Sequence, residues 1–416
     1  SEFVTCTSPF TSPIHLKDGN HTFRVLSEDK VANKDPSPAS FNWTVDTSAP
    51  NTKIDSATDG NKSTVTNDGN TKSTSMTFAF SGNDTGGVGI DHFGCSIDKS
   101  EFVTCTSPFT YSKSFKDGIH TFSVLSEDKV ANKDPSPASL SWTVDTSPPS
   151  TSITSVIDGN RNTVVNGGNT TSTSMTFAFS GKDTGVGLDH FECSLDGASF
   201  SVCTSPVQYS NLTDGAHTLK VLTKDKVGNV DPAPASFTWT SDTTPPTTSI
   251  DSVIDSNKNT LSNGSTTRSN SITFNFSGQD NGKVGVKHFE CSLDNSEFAA
   301  CTTPFSFPNL LSDGTHTFKV RAVDNSGNRD KSPELFTWNV DATPPDTSIE
   351  SAKDGNNKTV SNGGNSTSTS ITFAFTGTDT GVGLDHFECS LDGASFKICT
   401  SPIQFNSLPD GSHTLE

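Results

Sequence analysis

An internal repeat of about 98 residues runs through the whole 416-residue chain, and it constrains the fold more than any other feature. Ser1–Phe10 recurs letter for letter as Ser100–Phe109, and Asp183–Phe200 recurs as Asp379–Phe396. The chain has four tryptophans, which follow the same period: Trp43, Trp142, Trp239 and Trp338. Such a repeat predicts a row of similar small domains rather than one large core.

A proline-containing segment that begins with aspartate recurs once per repeat, and we call each copy a seam. The four seams are Asp46–Pro50, Asp145–Pro149, Asp242–Pro246 and Asp341–Pro345. Proline stiffens a junction because it fixes φ and favours extended backbone before it. The seams therefore predict partial repeats at 1–46 and 342–416 and complete repeats at 47–145, 146–242 and 243–341.

Within each repeat the apolar residues alternate with polar or small ones, which predicts strands. Met76, Phe78 and Phe80, for example, alternate with Thr77 and Ala79. Asp-Gly pairs and proline runs separate these segments as turns, and no helical period is visible. About seven short strands in about 98 residues predict an all-β fold, a tandem array of immunoglobulin-like β-sandwiches.

Four motifs in Phe191–Pro246 carry a family resemblance: F-E-C-S-L-D-G, L-x-D-G-x-H-T-x-x-V, D-x-x-G-N and W-T-x-D-x-T-P-P. This stretch resembles the immunoglobulin-like repeats of large bacterial and archaeal cell-surface proteins, and the resemblance covers the whole chain repeat by repeat. It implies extracellular arrays that serve as stalks, adhesins or fibres, with no common catalytic site.

The nine cysteines form four C-x9-C pairs and leave Cys6 over. The midpoint of Cys193 and Cys203 falls at Ala198, so a hairpin would place the two cysteines directly opposite each other, within disulfide range. Zinc fits poorly, because no second cysteine pair and no paired histidine accompanies them. The predicted disulfides, which imply an oxidising compartment, are Cys95–Cys105, Cys193–Cys203, Cys291–Cys301 and Cys389–Cys399. Because the chain opens in mid-pattern, we expect the partner of Cys6 upstream of Ser1.

Acidic residues cluster in a Gly-rich loop (Asp183, Asp189), in the D-K-V-G-N loop (Asp225, with Asn229) and at the seam (Asp242). Calcium takes six to eight oxygen ligands, so carboxylates at a junction are candidate ligands. The alternative is that these side chains bond their own backbone in Asx turns. The calcium candidates are Asp145, Asp183, Asp225, Asp242, Asp280, Asp324 and Asp341. Equivalents in other repeats include Asp84, Asp91 and Asp128.

Two histidines recur in the repeat. His92, His190, His288 and His386 lie on the opposite parity from the core, whereas His21, His120, His217, His316 and His413 lie on the core parity. The two sets should face different sides, which disfavours a two-histidine metal site. For the second set we expect the structural corner role that a tyrosine fills in many such folds.

Ten N-x-S/T sequons occur, about the number that chance predicts, and we take all but Asn42 as glycosylation candidates. The nine candidates are Asn20, Asn61, Asn83, Asn169, Asn211, Asn263, Asn275, Asn357 and Asn365. By strand parity Asn275 should face outward.

The net charge of −19, from 28 basic and 47 acidic residues, argues against nucleic-acid binding. No apolar run is long enough to span a membrane, and no nucleophile elbow, P-loop or H-E-x-x-H motif suggests an enzyme. We expect a structural segment of an extracellular fibre, filament or stalk at the cell surface, whose partners are its own copies and surface glycans. Apart from calcium we expect no cofactor. The alternatives are an adhesin that binds a carbohydrate or protein through its loops, and spacer domains of a larger surface enzyme.

Overall fold

The computed structural model describes residues 2–308 and 310–416 and contains 31 strands and no helix in that part of the chain. By proximity of Cα atoms the chain divides into two compact units, each described by itself. The first unit comprises Ser1–Ile157, Thr176–Gln208 and Thr218–Thr238, and the second comprises Asp158–Met175, Tyr209–His217 and Trp239–Glu416.

The strands recur with the sequence repeat. The segment before Asp46 has β1 (Gly19–Val25) and β2 (Ala39–Val45). The segment 47–145 has β3 (Asn51–Asp59), β4 (Gly69–Thr71), β5 (Met76–Asn83), β6 (Ile90–Ile97), β7 (Val103–Cys105), β8 (Phe109–Thr110), β9 (Gly118–Asp128) and β10 (Ala138–Val144). The segment 146–242 has β11 (Ser150–Asp158), β12 (Gly168–Thr170), β13 (Met175–Lys182), β14 (Leu188–Leu195), β15 (Ser201–Cys203), β16 (Val207–Tyr209), β17 (Gly215–Asp225) and β18 (Ala235–Ser241). The segment 243–341 has β19 (Thr247–Asp255), β20 (Thr266–Thr267), β21 (Ile272–Gln279), β22 (Val286–Leu293), β23 (Ala299–Cys301), β24 (Phe305–Ser306), β25 (Gly314–Asp324) and β26 (Glu334–Val340). The segment 342–416 has β27 (Asp346–Asp354), β28 (Ile371–Thr378), β29 (Phe387–Cys389), β30 (Lys397–Cys399) and β31 (Ile403–Phe405).

Each complete repeat that lies within one unit consists of two sheets. In segment 47–145 the three-stranded sheet has the order β3-β5-β8 and the five-stranded sheet the order β4-β10-β9-β6-β7. Segment 243–341 repeats this arrangement with β19-β21-β24 and β20-β26-β25-β22-β23. Among the described strands of these two segments, only the short β4 and β20 run parallel to their neighbours. The fold is therefore the predicted all-β tandem array of immunoglobulin-like sandwiches.

The structure has eight strands per complete repeat, one more than the alternation predicts. The additional strand β4 has the sequence Gly-Asn-Thr, which carries no hydrophobic alternation. It forms because the edge of β10 offers backbone partners, with Gly69 opposite Trp142 and Thr71 opposite Val144.

The alternating phenylalanines form the core between the two sheets. Phe78 is fully buried, and its ring centroid lies 4.0 Å from that of Phe122 and 5.3 Å from that of Trp142. In segment 243–341, Phe274 lies 4.0 Å from Phe318 and 5.4 Å from Trp338. Burying one such side chain contributes about 1.5–3 kcal/mol, so the same aromatic cluster stabilises each of these sandwiches.

Four disulfides close the hairpins: Cys95–Cys105, Cys193–Cys203, Cys291–Cys301 and Cys389–Cys399. The Cα atoms of Cys193 and Cys203 are 5.8 Å apart. The prediction that they lie directly opposite each other is wrong, because Cys193 faces Ser201 and Cys203 faces Phe191. The hairpin is centred on Gly197 rather than Ala198, since Asp196 and Gly197 form the tight turn with positive φ. Cys6 is exposed and has no disulfide partner within the described residues.

Five cis peptide bonds recur with the repeat, and sequence reasoning did not identify them. They precede Pro9, Pro108, Pro206, Pro304 and Pro402. In the first complete repeat the preceding residue, Ser107, accepts a hydrogen bond at Oγ from the Phe80 amide at 2.9 Å. The segment after the second cysteine is thereby joined to the strand that carries the core phenylalanines.

Candidate metal centres at the seams

Three clusters of three aspartates lie where a seam meets the loops of the next repeat. The first cluster is Asp46, Asp84 and Asp128, the second is Asp145, Asp183 and Asp225, and the third is Asp242, Asp280 and Asp324. In each cluster one carboxylate oxygen per residue lies within 4.8 Å of the others. The structure therefore contains acidic clusters with the oxygen ligands that calcium prefers.

The chain order explains this convergence. The last strand of one repeat ends directly before the seam aspartate, as β10 does before Asp145. In the following repeat, Asp183 begins the loop between β13 and β14, and Asp225 is the last residue of β17. These two strand ends lie together because β14 pairs with β17, with Leu188 opposite Asp225.

The third aspartate of each cluster is held by its own loop. Asp324 Oδ1 accepts the backbone N–H groups of Ser326 and Asn328, at 2.8 and 2.9 Å, and Oδ2 accepts Asn328 Nδ2 at 2.8 Å. Asp225 and Asp128 make the equivalent contacts with Asn229 and Asn132. The Asx turns, stated above as the alternative to calcium, are thus present in the same loops as the clusters.

An asparagine joins each of these loops to the seam. Asn328 Nδ2 also donates to the backbone carbonyl of Asp242 at 2.8 Å, and Asn229 Nδ2 donates to that of Asp145 at 2.9 Å. These hydrogen bonds fix the seam backbone beside the carboxylates. They use the backbone carbonyl of the seam aspartate, so its side-chain carboxylate does not take part in them.

The seam carboxylate of the third cluster is not satisfied. Asp242 is fully buried, its Oδ1 accepts the Thr244 N–H at 3.0 Å, and its Oδ2 has no hydrogen-bond partner. Burial, together with the charges of Asp280, Asp324 and Asp214, raises the pKa of Asp242 above its ordinary value. Asp84 Oδ1 and Asp183 Oδ1 in the other clusters are likewise buried without a partner.

A glycine makes room for each seam carboxylate. A Cβ atom on Gly282 would collide with the carboxylate of Asp242, and one on Gly185 would collide with that of Asp145. Gly87 and Gly381 occupy the same place beside Asp46 and Asp341. The close approach of loop and carboxylate therefore requires glycine at this position.

The donor set fits a hard divalent cation. Each cluster consists of carboxylates only, without the cysteine or histidine ligands that zinc prefers. Three converging carboxylates, one of them with a buried unpartnered oxygen, suit calcium, which takes oxygen ligands in a flexible geometry.

Among the described residues, the remaining calcium candidate Asp341 and the loop residues Asp189 and Asp91 do not join a three-carboxylate cluster. Asp341 Oδ2 accepts the Val382 N–H at 2.9 Å and its Oδ1 is buried without a partner, but the position equivalent to Asp324 would follow Glu416. Asp189 contacts His190 Nδ1 at 2.6 Å and Asp91 contacts His92 Nδ1 at 2.9 Å instead. Sequence reasoning did not include Asp46, although the period of the seams points to it.

A second acidic residue joins each seam to the Asp-Gly turn of the preceding repeat, and sequence reasoning missed it. Asp117 accepts hydrogen bonds from Ser147 Oγ at 2.6 Å and from Thr146 Oγ1 at 2.8 Å. These hydrogen bonds, the one from Ser147 first, hold the pKa of Asp117 below its ordinary value. Asp18 and Asp214 make the equivalent contacts at their seams. Asp313 accepts the backbone N–H groups of Ala342 and Thr343 instead, at 2.7 and 3.2 Å.

The histidines on the core parity have the structural role predicted for them. His120 Nε2 lies 2.8 Å from the Lys116 carbonyl and Nδ1 lies 2.8 Å from Asp98 Oδ2. His413 makes the same two contacts, and its hydrogen bonds to Pro409 and Asp392 raise its pKa. The ring closes a corner of the sandwich beside the repeat's tryptophan, 5.7 Å from Trp142 in the case of His120.

Eight of the nine glycosylation candidates are exposed: Asn20, Asn61, Asn83, Asn169, Asn211, Asn263, Asn357 and Asn365. Asn275 is half-buried, and its Nδ2, the atom that would carry the glycan, donates to Ser252 Oγ at 2.9 Å. Three of the exposed asparagines, Asn20, Asn83 and Asn169, lie in strands β1, β5 and β12, and the other five lie in turns and loops.

No family model and no curated protein sequence matches the chain. Among the described residues, no helix has the length and apolar character needed to cross a membrane.

The chain is similar to several solved structures. A tetra-tandem repeat in the extending region of a large adhesion protein is 16% identical, with 79% of this chain and 83% of that chain covered and a TM-score of 0.29. A structure concerning cell-surface retention of a 1.5-MDa bacterial ice-binding adhesin is 15% identical over 70% of this chain and 98% of that chain, with a TM-score of 0.30. The fibronectin(III)-like modules of Clostridium thermocellum CbhA are 12% identical over 46% of this chain and 94% of that chain, with a TM-score of 0.28. At these values the likeness carries no conclusion about function, and the fold assignment rests on the sheets described above.

Proposed function

We propose that the chain is a structural segment of an extracellular fibre, filament or stalk at the cell surface, serving attachment or matrix formation. The observation that carries the proposal is that the same acidic residue of an Asp-Gly turn, Asp18, Asp117, Asp214 or Asp313, joins every seam to the repeat before it. A catalytic site needs one special place, whereas a structural array needs the same joint many times.

The disulfides and the charge support this location. Disulfides persist in oxidising compartments outside the cytosol, and this chain has four. The net charge of −19 keeps neighbouring rods soluble and mutually repelling. The partners in this proposal are copies of the chain along or beside the filament, together with surface glycans, and calcium is its cofactor.

Electron microscopy of native material tests the proposal. We expect continuous filaments with an axial repeat that matches one sandwich, about 35–45 Å from strands of six to eight residues plus loops. Discrete particles of fixed length would contradict a polymeric fibre and would leave a monomeric stalk. A globular particle with enzymatic activity would contradict both.

A second candidate function is adhesion through loops, and one observation favours it. Phe102, Phe200 and Phe396 occupy the same place after the β-turn of their repeats and are 43%, 38% and 53% exposed. Aromatic residues are enriched at binding interfaces, so an exposed phenylalanine that recurs at the same place is a candidate contact residue. Binding of the full chain to a glycan array, lost when Phe102 and Phe200 are changed to Ser, would support adhesion. Unchanged binding, or none, would contradict it.

A further inference from the structure

The third cluster is the one in which the unpartnered buried oxygen belongs to the seam aspartate itself. Asp242, Asp280 and Asp324 bring three carboxylates within 4.8 Å of one another. Asp280 accepts backbone N–H groups of its own loop at both carboxylate oxygens, and Asp324 accepts them at Oδ1. Asp242 Oδ2 accepts no hydrogen bond. A buried carboxylate oxygen without a partner costs several kcal/mol unless something positive reaches it.

The reason for the missing hydrogen bond lies in the loop. The Val284 N–H, which could have reached the seam, donates to Asp280 Oδ2 at 3.1 Å. Gly282 meanwhile lets the loop pass so close to Asp242 that a Cβ atom would collide with its carboxylate. The loop therefore packs closely against the three carboxylates, and Asp242 Oδ2 receives no hydrogen bond from any protein donor.

We propose that Asp242, Asp280 and Asp324 bind a divalent cation that controls whether the seam Asp242–Pro246 is held against the loops of the following repeat. This inference rests on the proposed structural function and adds a regulation to it. With the cation bound, the carboxylates are bridged and the seam is fixed. When the cation is removed the three charges repel, and the seam loosens while the sandwich stays folded on its own core and disulfide.

The equivalent aspartates place one such site in each of the first two clusters as well. Asp183 Oδ1 and Asp84 Oδ1 are the unpartnered buried oxygens there. The full chain therefore has three sites, and occupancy of each acts on its own seam.

The experiment uses the full chain, stripped of cations with a chelator and titrated with calcium by calorimetry. Terbium is the second probe, because a bound terbium ion emits light when a nearby tryptophan transfers its excitation energy to it. Trp43, Trp142 and Trp239 each lie three residues before a seam aspartate. We expect three ions per chain.

Asp242→Asn removes a ligand, and Gly282→Ala keeps every charge but displaces the Asp242 carboxylate, so each should reduce the number of bound ions to two. Asp346→Asn, which removes an exposed carboxylate at the start of β27, is the matched charge control and should leave three.

Calcium binding that is absent up to about 10⁻³ M, the weak end for extracellular modules, would overturn the proposal. So would an unchanged number of ions in a folded Asp242→Asn or Gly282→Ala chain. If Asp242→Asn fails to fold, as judged by circular dichroism, Gly282→Ala decides. Filaments seen by microscopy without calcium binding would overturn the cation site alone, whereas calcium binding by a chain that forms neither filament nor stalk would overturn the structural function alone.

Discussion

The second and third clusters have the same three aspartates, yet their seam carboxylates have different partners. In the second cluster the Val186 N–H donates to Asp145 Oδ2 at 2.8 Å. In the third cluster Lys283 adds one residue to the loop, and the corresponding Val284 N–H donates to Asp280 instead. Asp242 Oδ2 is left without a partner, although Asp145 and Asp242 are equally buried.

The position of the extra loop residue decides which carboxylate receives this hydrogen bond. The first loop is as long as the third, but its extra residue, Gly86, precedes the glycine beside the seam carboxylate, and the Val88 N–H still donates to Asp46 Oδ2 at 2.8 Å. A residue inserted after that glycine, as Lys283 follows Gly282, transfers the hydrogen bond from the seam to the loop itself. The neighbouring position adds to the difference, because Lys226 follows Asp225 whereas the neutral Asn325 follows Asp324. Burial and the surrounding carboxylates raise the pKa of Asp242. The second seam is therefore satisfied largely by protein donors, and the third depends more strongly on a cation.

The largest expected difference comes from changing each seam aspartate to asparagine in the presence of a chelator. Asp145→Asn turns one of two accepting oxygens into a donor and loses a hydrogen bond to a charged group, which costs about 1.5–3 kcal/mol. Asp242→Asn keeps its contact with Thr244 and removes an unpaired buried charge, so we expect a change within about 0.5 kcal/mol or a gain. Hydrogen exchange of the two seam peptides measures this, and equal losses would contradict the comparison.

The residue inserted after the cluster's glycine should convert one seam into the other. Deletion of Lys283 brings Val284 directly after Gly282, as Val186 follows Gly185, and we expect the Val284 amide to reach Asp242 and gain about 1 kcal/mol of protection. Insertion of a lysine between Gly185 and Val186 is the reciprocal variant and should lose a similar amount at the second seam. The same exchange measurement reports both. Unchanged protection of the Val284 amide would show that the inserted residue is not the cause.

The two seams should also respond differently to pH in chelated protein. The folded pKa of Asp242 is raised, so its contribution to stability is fully present below its ordinary value of 3.8 and is lost as pH rises through the folded pKa. We therefore expect the third seam to exchange faster at pH 8 than at pH 3, below the ordinary value, after correction for intrinsic rates. Asp242→Asn, which cannot titrate, is the control. Greater protection of the third seam at pH 8 would contradict the assignment.

The smallest effect should come from exchanging the residues that follow the third aspartates. Lys226→Asn removes an ammonium near the second cluster, where exposed charges contribute at most about 1 kcal/mol, so the calcium affinity of that cluster should rise by less than about fivefold. Asn325→Lys should lower the affinity of the third cluster by more, because it adds an ammonium and also removes the hydrogen bonds of Asn325 Nδ2 to the Val284 and Gly285 carbonyls, at 2.7 and 3.1 Å. Calorimetry measures both, and changes in the opposite direction would contradict the electrostatic part of the comparison.

The fold was predictable because its determinants are local and repeated. The alternation around Phe78 and the tryptophan of each repeat specify strands and a core without any long-range information. The parallel pairing of β4 was not predictable, because its Gly-Asn-Thr sequence carries no strand signal and its partner β10 lies about 70 residues away. The hairpin register was missed for a similar reason, since the positive φ of Asp196 and Gly197 decides it.

The candidate site was predictable in composition but not in geometry. The recurrence of Asp145, Asp183 and Asp225 identified the residues, and the period could have added Asp46. The sequence does not specify which carboxylate keeps a free oxygen, because that depends on where a single amide such as that of Val284 points. It also does not separate Asp189 from the cluster, since that requires knowing that His190 takes its carboxylate.

Single-molecule force unfolding of the full chain tests most directly the claim that the repeats are the structural units. We predict three equal unfolding events, each releasing roughly 28–32 nm from about 88 residues at about 3.6 Å each, because the disulfide of each repeat keeps a ten-residue separation closed. Reduction should lengthen every step by about 3.6 nm. Two unequal events that match the two compact units would contradict the account.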